Sequence, residues 1–291
     1  MKYLYVLILM LSPLFSFCQT GSEIYLFDIH WKNGQPILSN PVNITNHKGY
    51  DNQPFFHPSK KIIYYSSFND SGRSDIKSYN YKSNQTNNIT RTPEREYSPT
   101  ITPDKKFISC IIQRDNNAQD LGKYPIAGGK PTVLIPTLKI GYHVWIDSYR
   151  LLLFVLGDSG HNTLHYYNLI TKEDAVLPAN PGRSLHKIPG LSNCSFIHKI
   201  SKEEWVVKQF NPATKDISVI CPALPGREDI CWLKKDFLFS SDGTRFFYND
   251  ISTINGWQTI SVENNNNSTL KGISRLTVNS NNTKLAVVLS E

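Results

Sequence analysis

The side chains that could do chemistry recur at matching places along the chain. Six short apolar runs are each introduced by charged or imidazole residues. The acids are Asp51, Glu96 and Asp229, and the bases are His143, Arg183, His186, Arg227 and Arg275. Gathered at one opening, these groups would hold a peptide tail or a small anion through charge-assisted hydrogen bonds. A second chemistry is open to His57, His143 and His186. Three imidazoles on three neighbouring elements could ligate one metal ion in a lyase or hydrolase acting on sugars or lactones. The close pair His161 and His165 would stand ~13 Å apart on a strand rising ~3.3 Å per residue, too far for one ion. Asp70-Ser-Gly72 and Ser241-Asp-Gly243 lack the distal Glu of a calcium loop and read as tight turns. There is no Gly-x-Ser-x-Gly elbow. The binding reading is therefore preferred: no catalytic residue is assigned, and neither a cofactor nor a metal is expected.

What would bring such residues together is a repeat. Taking Phe56, Ile101, Trp145, Ile188, Trp232 and Thr277 as equivalent gives steps of 45, 44, 44, 43 and 45 residues. Within each unit, apolar runs alternate or come in fours and fives, bounded by Asn, Asp, Gly, Ser and Pro, the pattern of strands and hairpins. A period near 40–45 residues with several short strands belongs to the blade of a β-propeller, not to a helical solenoid. The chain starts with two orphan strands, Glu23–Asp28 and Pro41–Thr45. It ends with two more, Leu276–Val278 and Lys284–Leu289. Half a blade at each end makes a sixth blade if the ring closes, and closure removes exposed sheet edges. The fold expected is all-β, a six-bladed propeller over 19–291, with the charged loops crowding the mouth of its central channel.

Met1-Lys2 and the apolar run to Phe17 form the pattern of a signal peptide over 1–18, cut between Cys18 and Gln19. The run is too short for a membrane span. Lipidation of Cys18 is disfavoured because Phe17 stands where a lipobox wants a small residue. The net charge of +7 is spread over turn lysines such as Lys60-Lys61, Lys105-Lys106 and Lys234-Lys235. Scattered lysines make a solvated surface; a nucleic-acid groove would cluster them among aromatics. Cys110 and Cys194 sit in apolar runs as buried thiols, and a Cys221–Cys231 bridge is left open.

Pro54 to Ser67, Pro-Phe-Phe-His-Pro-Ser-Lys-Lys-Ile-Ile-Tyr-Tyr-Ser-Ser, followed by Gly72-Arg-Ser-Asp-Ile-Lys77, resembles the repeat of TolB-type propellers. Ser98 to Ile108 resembles it a second time, although Ser59-Lys60 and Asp104-Lys105 replace the usual Asp-Gly of the first turn. The resemblance implies an exported six-bladed propeller used as a protein-binding platform. The expectation is a monomeric, non-enzymatic module with a protein or peptide partner in the bacterial periplasm or cell envelope. Nucleic acid and a membrane span are not expected.

Overall fold

A computed structural model describes residues 21–263 and 270–291. The expected signal segment 1–18, its cut at Cys18 and Gln19, and residues 264–267 of the Asn-rich tract lie outside the described residues. What is described is all-β apart from one 3-10 turn at Asp158–Gly160. Its strands form six blades.

Blade 1 runs outward from the axis through Asp51–Phe56, Ile62–Phe68, Ser74–Asn80 and Gln85–Asn88. Blades 2 to 5 repeat that order, with inner strands Arg95–Ile101, Ile140–Trp145, Pro181–Lys187 and Ile230–Lys234. Blade 6 is assembled from both ends of the chain. Ser274–Val278 and Lys284–Ser290 form its inner half, and Ser22–Lys32 and Gln35–Asn43 its outer half. Ser22–Lys32 pairs antiparallel with Lys284–Ser290, with Ile24 opposite Val288 and Phe27 opposite Leu285. The ring is thereby closed, as the half blades at the two ends led one to expect.

The turn of the outer hairpin differs from the sequence reading. Asn33 (φ 50°) and Gly34 (φ 78°) make the turn, so the second strand of the hairpin is Gln35–Asn43 and not 41–45, and the short strand Val262–Glu263 pairs parallel along its outer edge. Asn-Gly is the pair that tolerates two successive positive φ angles, which a two-residue hairpin needs to match strand twist.

Each blade packs both faces against neighbours, so successive side chains of one strand serve different interfaces. Tyr64 points toward blade 2, whereas Ile63 and Tyr65 join the cluster between blades 6 and 1. Six apolar clusters result, one at each junction between blades. This explains why the second strands read as continuous apolar runs: Leu151, Leu152 and Leu153 are all fully buried. Fully burying such a side chain contributes roughly 1.5–3 kcal/mol.

Two tryptophans staple successive blades. Trp145 Nε1 donates to Ser109 Oγ and Trp232 Nε1 to Ser195 Oγ, both at 2.8 Å. Cys110, Cys194, Cys221 and Cys231 are all free thiols.

Candidate binding site in the central channel

The inner strands of all six blades line an axial cavity of about 730 Å³. Bulges in these strands decide what enters it. Register breaks fall between Asn52 and Phe55, Tyr97 and Thr100, and Ser274 and Thr277. At three of the bulged positions a non-glycine residue takes left-handed backbone: Gln53 (φ 56°), Ser98 (φ 54°) and Arg275 (φ 54°). Such angles are uncommon outside glycine and cost free energy, and bulges of this kind re-aim side chains next to functional sites.

The re-aimed groups brace the ring. Gln53 Oε1 accepts from Ser98 N at 2.7 Å and from Ser66 Oγ at 3.1 Å, linking blades 1 and 2. Arg183 grips Asp229 with two parallel hydrogen bonds, Nε to Oδ1 at 2.9 Å and Nη2 to Oδ2 at 2.5 Å, linking blades 4 and 5. Arg275 of blade 6 donates through Nη2 to the hydroxyl of Tyr142 at 2.9 Å, and its guanidinium lies 5.1 Å from the centre of that ring. Blades 6 and 3 stand opposite one another in a ring of six, so this contact spans the channel.

The electrostatics follow from these pairings. Burial works against the charge on Asp229, but the Arg183 hydrogen bonds and the charges of Arg183 and Arg275 outweigh it and hold its pKa below the ordinary value. Burial opposes Arg183 in turn, and Asp229 more than compensates, leaving it firmly charged. Tyr50 is kept neutral by burial, against the opposing charges of Arg275 and Arg183.

The expected site residues divide in two. His143, Arg183, His186, Asp229 and Arg275 line the channel. Asp51, Glu96 and Arg227 do not. Asp51 is wholly buried toward blade 6, where its backbone carbonyl accepts from Ser22 Oγ. Glu96 is buried beneath Thr90, Thr92 and Tyr124. Arg227 is exposed, on the loop joining blades 4 and 5, against Gly243. Tyr142 and Gln53 belong to the site and were not singled out in the sequence. The available signal was that Gln53, Ser98, Tyr142 and Asp229 share one repeat position.

The three imidazoles do not converge. His57 Nδ1 accepts from the backbone N–H groups of Ser59 and Lys60, both at 3.0 Å, and caps the turn leaving the first inner strand. His143 Nε2 meets Ser109 Oγ at 2.8 Å, and burial drives its pKa down to about 3. His186 is half-buried at the channel wall. Burial takes it to about 4, against the pull of a hydrogen bond to the Ile230 backbone and the charge of Asp229. Both are neutral at physiological pH. Among the described residues, the side chains that could together hold a metal ion are Glu23, His47 and Asp51, and none of the three is a channel histidine.

The fold and its site define a six-bladed propeller with a braced, mixed-charge channel mouth. No protein-family model and no curated protein matches the sequence. Solved structures do match in fold. A protein assigned as TolB from Agrobacterium tumefaciens superposes with a TM-score of 0.71 at 12% identity, over 94% of this chain and 99% of that one. TolB from Acinetobacter baumannii gives 0.58 at 11% identity over 93% of this chain, which spans 65% of that longer protein. An oligogalacturonate lyase in complex with manganese gives 0.59 at 11% identity, over 88% and 82%. The TolB-like fold expected from the repeat is thus the fold observed.

Proposed function

We propose that the protein is an exported, non-enzymatic binding module that takes an acidic peptide segment or chain end of a protein partner at the Arg183–Asp229–Arg275 mouth. The observation that carries this reading is the state of Arg275. Arg183 is paired bidentately with Asp229, whereas the Arg275 guanidinium donates to the Tyr142 hydroxyl and rests on its aromatic face, with the Asp229 charge acting on it only at a distance. A ligand carboxylate would replace the Tyr142 hydroxyl with a bidentate, charge-assisted pair, the interaction for which a guanidinium is best shaped. Phe55, Ile101, Trp145 and Leu185 on the wall below would receive apolar side chains of the same segment. The braced ring holds these groups in place beforehand, so little ordering entropy is lost on binding.

On this reading 1–18 is a signal peptide, 19–291 the working domain, and the protein acts as a monomer in the periplasm or cell envelope. The TolB-like fold supports a platform role. The lyase or hydrolase alternative loses His57, His143 and His186 as a shared metal set, because their imidazoles do not converge; the fold shared with an oligogalacturonate lyase keeps that alternative open.

The test is affinity capture from the native envelope with three baits: wild type, Arg275→Ala and Arg227→Ala. The proposal expects one partner retained by wild type and Arg227→Ala and lost by Arg275→Ala. Retention by all three baits would move the interface away from the mouth.

A further inference from the structure

The seam between blades 6 and 1 gathers three metal-binding side chains that the channel does not use. Glu23 comes from the strand Ser22–Lys32 and Asp51 from the start of the first inner strand, while His47 lies on the loop between them. One ligand atom of each lies within 4.8 Å of the other two.

Two features set this cluster apart from ordinary surface acids. Asp51 is fully buried, and neither carboxylate oxygen has a well-aligned hydrogen-bond donor. His47 Nε2 stands 3.1 Å from Oδ2, and the Ser67 hydroxyl also acts on the carboxylate. The imidazole is oriented from its other side, where His47 Nδ1 lies 3.1 Å from the carbonyl oxygen of Lys48. A carbonyl only accepts, so Nδ1 carries a proton. Nε2 therefore turns a lone pair toward the carboxylate unless it is protonated too. Facing lone pairs beside a second carboxylate repel, and a buried carboxylate without donors is costly. A cation between them removes both penalties.

The supporting groups have the form of an outer shell that orients ligands. Glu23 Oε1 accepts from the backbone N–H of His47 at 2.9 Å, and Oε2 accepts from the Thr45 hydroxyl. Gly49, at φ 132°, turns the loop back so that the imidazole returns over Asp51, and its carbonyl accepts from Ser22 N at 2.8 Å. Few residues with a side chain adopt that angle. A cavity of about 460 Å³, lined by Glu23, His47 and Lys48 among others, connects the cluster with solvent.

We propose that Glu23, His47 and Asp51 bind one divalent transition-metal ion, of the zinc or manganese class, at this seam. An imidazole nitrogen with two carboxylates suits such ions better than calcium or magnesium, which favour oxygen-only sets. Two carboxylates and a neutral imidazole balance a charge of +2, and water from the cavity completes the shell. The ion ties the blade that closes the ring to the first blade.

The purified chain, stripped with chelator, is titrated with ZnCl₂ and with MnCl₂ by calorimetry at pH 7 and melted at each metal concentration. We expect one ion per chain and a melting point raised by about 5 °C or more at a hundredfold excess over Kd. Both effects should disappear in His47→Ala and in Glu23→Gln. If His47→Ala melts early without metal, Glu23→Gln decides. Absence of stoichiometric binding by wild type would overturn the site and leave His47 as an imidazolium paired with Asp51. Binding that survives in a folded Glu23→Gln or His47→Ala would overturn it equally, because the ion would then sit elsewhere.

Discussion

Asp51 and Glu96 hold the same position in successive blades, two residues before the bulge of the inner strand, and both are fully buried. At the junction of blades 1 and 2, three hydroxyls close around Glu96: Thr92 at 2.5 Å, Tyr124 at 2.9 Å and Thr90 at 3.2 Å. At the seam of blades 6 and 1, Asp51 has the His47 imidazole at 3.1 Å and the Ser67 hydroxyl beside it, and neither carboxylate oxygen has a well-aligned donor. Burial raises the pKa of both carboxyls, that of Asp51 to about 6. One position in the repeat thus serves as internal bracing in blade 2 and, in blade 1, holds a carboxylate short of donors. Burial of a charge does not by itself distinguish the two; the donors around it do.

Acid should produce the largest effect and separate the channel from the seam. His143 and His186 have folded pKa values of about 3 and about 4, below the ~6.5 of an unfolded histidine. The unfolded chain therefore binds more protons as pH drops below ~6.5, and stability falls with it. Two such groups remove about 4 kcal/mol between pH 7 and pH 5. Asp51 acts in the opposite sense: its raised pKa gives stability that is present at low pH and lost as pH rises through about 6. Urea titrations across this range should show the loss, and a His143→Gln/His186→Gln variant should flatten it. A wild-type curve already flat between pH 7 and pH 5 would refute neutral burial of these histidines.

Truncation sharpens the comparison of the two acids. Glu96→Ala removes a carboxylate that satisfies three buried hydroxyls and leaves a void, at a cost of about 3 kcal/mol. Asp51→Asn, measured in chelator, should change stability by about 1 kcal/mol or less, since few interactions are lost. Equal costs in denaturant unfolding would mean that Asp51 is bonded as fully as Glu96.

The smallest effect expected is at the cross-channel brace. Tyr142→Phe removes one hydrogen bond and keeps the ring under Arg275, so about 1 kcal/mol should be lost. A loss of several kcal/mol would show that the brace holds the ring together and does not merely rest across it.

Much of the architecture was legible because it follows from local rules. Strands and turns recur every 43 to 45 residues, the two ends each supply half a blade, and His57 falls where a strand meets a turn. The direction of side chains along the inner strands was not legible. Alternation assigns Asp51, Glu96 and Arg183 to faces only while the register runs unbroken, and a bulge within each inner strand resets the phase. The repeat position of Tyr142 aligned it with Asp229, but its pairing with Arg275 was not legible because that partner lies half a ring away. Glu23 was missed for a similar reason: ring closure brings it to Asp51. His47 lies only four residues before Asp51, but that spacing places the imidazole over the carboxylate only once the loop has folded.

Site-specific photo-crosslinking tests the central claim most directly. A benzophenone side chain is placed at Tyr142 in the mouth or at Val176, exposed on the outer strand of the same blade, and irradiated in native envelope. The account predicts a discrete adduct from position 142 and none from 176. An adduct from 176 alone would contradict it and put the partner on the outer edge of the propeller.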